Sequence, residues 1–215
     1  MDFAAARRNM VASQIRTIPV TDTLVIAAIE AVPREKFVPA AMREVAYVDG
    51  SIQVGRGRYL MEPAVLARLL QLADLEPNDK ALVVASGTGY TAAVLANAVV
   101  KVVSVESDAT LSAQARGTCS EINAAVKAVV GDVKRGAPDE GAFDVIIIDG
   151  AVEEIPEAIL SQLADGGRLV AVVRNGSVGR ATLVVRSGAA FSRREDFDAM
   201  TPVLPEFTRA PAFVF

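Results

Sequence analysis

The sequence predicts an α/β fold, in which a mostly parallel sheet is covered by helices on both faces. From Ala81 onward, short apolar runs alternate with helical stretches, which is the pattern of strands joined by crossover helices. These runs contain few polar residues, as is typical of strands buried on both faces. The chain has 215 residues and is 52% hydrophobic, which is enough for one domain with a sizeable core.

The first 78 residues are predicted to form helices and a long loop. Apolar side chains recur at helical spacing from Asp2 to about Arg16 and from Asp22 to Val32. Residues 37–58 are interrupted by proline and glycine and are predicted to be irregular. Pro63 stands where the first turn of a helix tolerates proline, so a third helix is predicted to run to Leu72.

Strands and helices are predicted to alternate after residue 78. The predicted strands are Ala81 to Ala85, Val99 to Val105, Val126 to Val130, Phe143 to Ile148 and Arg168 to Val173. The predicted helices are Thr91 to Asn97, Ala109 to Ala124 and Ile155 to Leu163. Two further strands, Leu183 to Val185 and Ala212 to Phe215, are predicted to form an antiparallel hairpin at the edge of the sheet. We expect one domain over residues 1–215, with helices and a loop at 1–78 and the α/β core at 79–215.

Composition excludes several classes of function. The net charge is −4 with no basic run, so we expect neither a nucleic acid nor a membrane as partner. The chain has no histidine and one cysteine, Cys119, which excludes imidazole catalysis and the usual zinc frameworks. No apolar window reaches the roughly 18 residues of a membrane-spanning helix. We expect a cytoplasmic protein without a metal site.

A glycine turn lies between the first buried strand and the next helix, in "LVVASGTGYTAAVLA", Leu82 to Ala96. In parallel sheets, ligands bind beyond the carboxyl ends of the strands, and Gly87 and Gly89 fall at such an end. Residues 87–92 also match the relaxed dinucleotide pattern, which leaves a nicotinamide-dependent oxidoreductase open. A turn that only fits the helix against the strand is the plainer alternative.

Two acidic residues end the following strands. Glu106 lies 17 residues beyond Gly89, where a carboxylate can accept hydrogen bonds from both hydroxyls of a ribose. Asp132 follows the next strand and is placed to bind the amino edge of an adenine. The alternatives are a solvated acid for Glu106 and an ordinary turn aspartate for Asp132.

The chain resembles the protein-L-isoaspartate O-methyltransferases over essentially its whole length. Four stretches carry the resemblance: "MVASQIRTIPVTDTLVIAAIEAVPREKFVP", "AYVDGSIQVGRG", "SGTGYTAAVLA" and "FDVIIIDGAVEEIPEAILSQLADGGRLVAVV". The resemblance implies a Rossmann-like, seven-stranded sheet and S-adenosylmethionine as cofactor, with S-adenosylhomocysteine as product. It also implies an enzyme whose partners are proteins or peptides with isoaspartyl residues, which it methylates in the repair of damaged aspartyl sites.

The resemblance implies two sets of site residues. The cofactor-binding set is Ala85, Ser86, Gly87, Thr88, Gly89, Glu106, Asp132 and Asp149. In this set Gly87 and Gly89 face the methionine part, Glu106 the ribose and Asp132 the adenine. Asp149 is expected beside the site of methyl transfer, although capping the next segment is an equal alternative. The substrate-facing set is Arg58, Tyr59, Leu60 and Met61.

The chain departs from the family pattern at both sets. Val83 and Ala85 replace an acidic residue and the first glycine of the cofactor motif, while Tyr59 and Met61 replace a threonine and a serine of the substrate segment. These changes leave open a non-catalytic binding or regulatory relative, or methylation of another acceptor. Arg58, where the family has glutamine, is interpreted either as a cation for an acidic acceptor or, slightly favoured, as a solvated surface arginine.

Overall fold

The computed structural model describes residues 1–209, which form nine strands and six α-helices. The strands are β1 (Ile52–Gly55), β2 (Arg58–Leu60), β3 (Lys80–Val84), β4 (Lys101–Glu106), β5 (Val126–Val130), β6 (Phe143–Val152), β7 (Leu163–Asn175), β8 (Val178–Ser187) and β9 (Ala190–Asp198). The helices are α1 (Phe3–Met10), α2 (Thr23–Ala31), α3 (Pro63–Leu72), α4 (Tyr90–Leu95), α5 (Ala109–Glu121) and α6 (Glu157–Leu160). In these residues, no helix has the length and apolar character that a membrane crossing requires.

The central sheet has seven strands in the order β5-β4-β3-β6-β7-β8-β9. The pairs from β5 to β7 are parallel, and β8 and β9 are added antiparallel. The mostly parallel α/β class predicted from the sequence is therefore confirmed. Because β3 has β4 on one side and β6 on the other, the chain order reverses there, and the carboxyl ends of these strands, here called the crevice, lie where such sheets bind ligands.

Buried side chains cover both faces of the sheet. Along β3, Ala81 and Val83 point into an apolar cluster that includes the N-terminal helices and α3, while Leu82 and Val84 point into a second cluster on the other face. This alternation follows from the twofold periodicity of a strand. Both faces of the sheet are thus packed against apolar side chains.

Both N-terminal helices begin directly after an aspartate that stands at the start of the predicted range. The Asp22 side chain accepts hydrogen bonds from the backbone N–H groups of Leu24 and Val25, at 2.8 and 3.3 Å. In place of the predicted first helix, the structure has α1 followed by a π-helical turn over Val11–Ile15. The Arg16 N–H closes this turn by donating to the Val11 carbonyl at 2.9 Å. Together they cover the expected range but are not one regular helix.

Two sequence predictions differ from the structure, one strand was missed, and one predicted strand is not described. Residues 37–58 are not wholly irregular, since they contain a short 3₁₀ helix at Ala40–Val45 and the strand β1, which pairs with β2. The helix predicted for Ile155 to Leu163 is only four residues long, because Leu163 already begins β7. The strand β9 was not predicted, since it is an edge strand with mostly exposed polar side chains. The strand predicted at residues 212–215 lies outside the described residues, and β9 is the strand that pairs with β8.

Residues 199–209, here called the C-terminal strap, cross the carboxyl ends of the parallel strands. The strap is joined to β6 by the Ala151 N–H on the Pro202 carbonyl (3.1 Å) and the Leu204 N–H on the Ala151 carbonyl (2.8 Å). Leu204 occupies the space that a side chain at Gly150 would need, since a Cβ there would lie 2.7 Å from Leu204 Cγ. The strap therefore covers the edge of the sheet where the predicted site lies.

Arg168→Gln is expected to lower the free energy of unfolding by about 2–3 kcal/mol in urea titrations. Arg168 on β7 donates to the Ala73 carbonyl (2.9 Å), the Asp74 carbonyl (2.6 Å) and the buried Asp79 carboxylate (2.7 Å). Glutamine cannot make these contacts together, so the loop between α3 and β3 loses its attachment. The control is Arg180→Gln, whose exposed and longer ion pairs predict a change of at most about 0.5 kcal/mol. Equal losses in both variants would contradict this role of Arg168.

Candidate cofactor and substrate site

Most of the predicted cofactor residues meet at the carboxyl ends of β3 and β4, beside β6. Val84, the last residue of β3, pairs with Val105 of β4 on one side and Ile148 of β6 on the other. The residues that follow them, the loop 85–89, Glu106 and Asp149, therefore stand side by side at one edge of the sheet. The switch in strand order at β3 places this group in the crevice where α/β sheets bind ligands.

The loop after β3 is a sharp turn that needs left-handed backbone conformations. Gly87 has φ +53° and Gly89 has φ +92°, and Ala85 has φ +59° although it carries a side chain. Glycine is also required at Gly89 by packing, since a Cβ there would lie 2.8 Å from that of Ala115 on α5. The left-handed Ala85 costs about 1 kcal/mol relative to a glycine in this conformation.

Thr88 faces the protein and not the crevice. Its hydroxyl donates to the Phe37 carbonyl at 2.6 Å, which ties the glycine loop to the segment that follows α2. Ser86 is buried as well, and its carbonyl accepts from the Gly89 N–H at 2.8 Å. These two predicted cofactor residues shape the loop through backbone contacts.

The Glu106 carboxylate is buried, and both of its oxygens are already bound. Oε2 accepts from the Gly87 N–H (2.8 Å) and from Arg58 Nε (2.9 Å). Oε1 accepts from Arg58 Nη2 (2.9 Å), the Asp108 N–H (3.0 Å) and the Ser107 hydroxyl (3.2 Å). Glu106 is only 1% exposed, so the solvated-acid alternative is wrong.

Arg58 is the cation that occupies this carboxylate. It is 3% exposed, so its interpretation as a solvated surface arginine is wrong. It also pairs with Glu206 of the C-terminal strap, Nη2 to Oε1 at 2.8 Å and Nη1 to Oε2 at 3.0 Å. Burial alone would lower the pKa of Arg58, but hydrogen bonds to Glu206 and Glu106 raise it above its ordinary value. The hydrogen bond with Arg58 lowers the pKa of Glu206 to about 2.

Asp149 is a buried carboxyl group within β6. The strand continues to Val152 with an irregular register between Ile147 and Ala151, so Asp149 does not follow the end of the strand as predicted. Helix α6 has no side-chain cap, so the capping alternative is wrong. Burial raises the pKa of Asp149 to about 7, against the opposing effects of Thr91 and Arg34. Within residues 1–209, Asp149 Oδ1 has no hydrogen-bond partner.

Arg34 is a site residue that the sequence reasoning missed. It is completely buried, donates to the Ala46 carbonyl (2.8 Å) and the Met61 carbonyl (2.7 Å), and lies 4.8 Å from the centre of the Tyr90 ring. Burial lowers its pKa, and in residues 1–209 its Nη1 has no hydrogen-bond partner. Arg34 therefore fixes the backbone of the substrate segment against the first residue of α4. Its sequence signal is slight, because an arginine after a helix end is usually solvated.

The predicted substrate-facing residues are mostly packed inside. Leu60 and Met61 are buried in the apolar cluster with the N-terminal helices, and Tyr59 is half-buried. The structure thus places Met61 in the core, where its thioether fills space. Arg58 is the member of this set whose side chain binds Glu106.

Asp132 lies at the outer end of the crevice. It is exposed, and its Oδ1 accepts from the Lys134 N–H at 2.9 Å, as in an ordinary turn. It also lines a cavity of about 210 Å³ beside the end of β5, together with Val130 and Arg135. The position is thus compatible with both interpretations made from the sequence.

Comparisons with known proteins identify similar sequences over most of the chain. A family model described as protein-L-isoaspartate(D-aspartate) O-methyltransferase matches residues 5–200. A protein-L-isoaspartate O-methyltransferase of Methylorubrum extorquens (strain PA1) is 39% identical over 169 residues, which are 79% of this chain and 74% of the relative. One of Koribacter versatilis (strain Ellin345) is 36% identical over 197 residues, which are 91% and 88% of the two chains.

Two solved structures share the fold. A protein-L-isoaspartate O-methyltransferase from Plasmodium falciparum, in complex with S-adenosyl-L-homocysteine, aligns with a TM-score of 0.80 and 19% identity, covering 93% of this chain and 98% of its own. Another protein-L-isoaspartate O-methyltransferase aligns with a TM-score of 0.79 and 24% identity, covering 92% of this chain and 65% of its own. At these identities the likeness concerns the fold, and it confirms the predicted Rossmann-like class.

Proposed function

The chain belongs to the protein-L-isoaspartate O-methyltransferase family, and we propose that it transfers a methyl group from S-adenosylmethionine to the carboxylate of isoaspartyl residues in damaged proteins. The observation that carries the proposal is the meeting of the glycine loop and Glu106, at the carboxyl ends of β3 and β4, with Asp149 in the neighbouring strand β6. The similarity to relatives named as O-methyltransferases supports the enzyme interpretation. It gives no support to an oxidoreductase or to a non-catalytic relative.

The residue types at the crevice fit the cofactor. Asp149 Oδ1, which has no partner within residues 1–209, suits the ammonium group of the methionine part. The space beside Gly87 admits a Cβ without a clash and is bounded by Arg58 and Val54, whose side-chain atoms would each lie 3.7 Å from it. Glu106 would hold the ribose hydroxyls and Asp132 the amino edge of the adenine. One group in the crevice stands against this fit, because Arg58 already holds the Glu106 carboxylate.

The chemistry of carboxyl methylation suits a chain without histidine. When bound, S-adenosylmethionine supplies a methyl group that its sulfonium has already activated. The acceptor carboxylate is ionised near pH 7, so no residue of the chain has to remove a proton to create the nucleophile. The chain then has to align the acceptor and exclude water, and alignment of this kind contributes on the order of 7–11 kcal/mol.

Methyl transfer to matched peptides tests the proposed reaction. Purified protein is incubated with S-adenosylmethionine labelled on the methyl group and with two peptides that differ only in one isoaspartyl or aspartyl linkage. We expect base-labile label in the isoaspartyl peptide and background label in its aspartyl twin. Equal labelling of the two peptides would overturn the substrate, and no labelling of either would overturn the proposed reaction.

Ala85→Gly is expected to lower the Kd for S-adenosylhomocysteine severalfold. Glycine removes the buried methyl group at the start of the glycine loop and relieves a left-handed conformation that costs about 1 kcal/mol. Titration calorimetry measures the effect. Ala81→Gly at the start of β3 is the control, which is expected to lower stability by about 1 kcal/mol without changing the Kd. An unchanged or weaker affinity of Ala85→Gly would show that the Ala85 methyl group does not crowd the cofactor.

We also infer that residues 1–78 and 79–215 form one domain and that the protein acts in the cytoplasm without a nucleic acid or membrane partner. The N-terminal helices and α3 share an apolar cluster with β3, which supports one folding unit. The single cysteine, Cys119, is buried, and a chain without an intrachain disulfide suits a reducing compartment. The net charge of −4 supports the absence of an anionic polymer as partner.

A further inference from the structure

Arg58 lies between two carboxylates that come from distant parts of the chain. Its Nε and Nη2 bind the two oxygens of Glu106, each at 2.9 Å. Its Nη2 and Nη1 bind the two oxygens of Glu206, at 2.8 and 3.0 Å. The guanidinium thus forms a two-point contact with each partner, which is the strongest geometry for this pair of groups.

Glu106 cannot hold Arg58 and a ribose in the same way at the same time. Its oxygens already accept from five donors, of which two are the fixed backbone N–H groups of Gly87 and Asp108. The hydroxyls of a ribose would need the lone pairs that Arg58 uses. A ligand that binds Glu106 through its ribose therefore has to displace this side chain.

Glu206 is placed to keep Arg58 after such a displacement. The strap that carries Glu206 is anchored by the backbone hydrogen bonds of Leu204 and Pro202 with Ala151. The Ser107 hydroxyl shares its one proton between Glu206 (2.9 Å) and Glu106 (3.2 Å). Glu206 is 32% exposed at its side chain against 1% for Glu106, so the guanidinium can move toward solvent and remain paired. A buried arginine that loses every carboxylate would be strongly disfavoured.

We infer that the Arg58 side chain occupies the cofactor site and is displaced from Glu106 when the methyl donor binds there. Glu206 is then a positioning residue that keeps the displaced Arg58 paired. The inference rests on the proposed function, because it names Glu106 as the carboxylate for the ribose. The strap therefore takes part in cofactor binding through Glu206. Substitutions of Arg58 and of Glu206 are expected to change the Kd for the cofactor in opposite directions.

The test is calorimetric titration of S-adenosylhomocysteine into the full chain and its variants. Arg58→Gln restores the residue usual in the family and frees Glu106, so it is expected to bind about tenfold tighter, the worth of one charge-assisted contact. Glu206→Gln leaves the displaced guanidinium without a carboxylate, so it is expected to bind about tenfold weaker. The double variant has no guanidinium to accommodate and is expected to resemble Arg58→Gln.

If Arg58 and Glu206 only stabilised the fold, every variant would bind the ligand more weakly. Opposite changes in affinity for Arg58→Gln and Glu206→Gln therefore distinguish the displacement from a structural role. Glu121→Gln, at an exposed ion pair with Lys36, removes the same charge elsewhere and is expected to leave the Kd unchanged. If Arg58→Gln does not fold, as judged by circular dichroism, Arg58→Met takes its place. If the parent binds the ligand and the Arg58 variants have an unchanged or higher Kd, the inference is overturned and the proposed function remains intact. No binding at millimolar ligand in the parent and in every variant would overturn the proposed function itself.

Discussion

Glu106→Gln is expected to lower the free energy of unfolding by about 3–5 kcal/mol and to abolish binding of S-adenosylhomocysteine. The carboxylate is 1% exposed and accepts from Arg58, Gly87, Ser107 and Asp108. An amide offers one acceptor oxygen and directs an N–H₂ group at donors. Arg58 keeps Glu206 but loses its more deeply buried partner.

Urea titrations of the parent and of two variants measure this effect. Glu121→Gln is the matched control, since its ion pair with Lys36 is exposed, and its change is expected to stay within about 0.5 kcal/mol. The stability loss of Glu106→Gln should be several times larger. A loss no greater than that of the control would show that the cluster around Arg58 does not stabilise the fold.

Asp149→Asn is expected to make the protein more stable above pH 7, by up to about 4 kcal/mol. The folded state raises the pKa of Asp149 from 3.8 to about 7, so it retains a proton that the unfolded chain releases. The parent should therefore lose stability as the pH rises from about 4 to 7, and a plateau should follow. Asparagine cannot ionise and should remove this slope, so the two proteins should differ little near pH 4.

Binding is expected to depend on pH in the opposite direction. If Asp149 holds the ammonium group of the cofactor, the parent should bind S-adenosylhomocysteine more tightly as the pH rises through 7 and the carboxylate ionises. Asp149→Asn should bind weakly and without this dependence. Unfolding and binding measured from pH 5 to 8 on both proteins provide the check. Parallel stability curves would contradict the burial of a protonated Asp149, and parallel binding curves would contradict its role toward the cofactor.

The sequence predicted the parts of the fold whose apolar residues follow a regular period. The buried strands β3, β4 and β6 were predicted because a strand covered on both faces must be apolar throughout. The edge strand β9 has no such pattern, since its side chains face solvent and its pairing is made by the backbone. Helix α6 was predicted too long because Leu163 continues the apolar spacing of the helix, although it already begins β7.

The site was predicted in its positions and not in its contacts. Local spacing was enough to place the glycine loop and Glu106 at the ends of adjacent strands. The pairing of Arg58 with Glu106 and Glu206 joins residues that lie 48 and 148 positions apart, and no local pattern encodes such contacts. The same holds for Arg34, whose partners are two backbone carbonyls.

A crystal structure of the chain grown with saturating S-adenosylhomocysteine tests the assignment of the crevice most directly. We expect the ribose hydroxyls on the Glu106 carboxylate, the amino group beside Asp149, and Arg58 on Glu206 alone. A nucleoside bound elsewhere on the protein, or bound in the crevice with the Arg58–Glu106 pair intact, would contradict the proposed cofactor site and the displacement of Arg58.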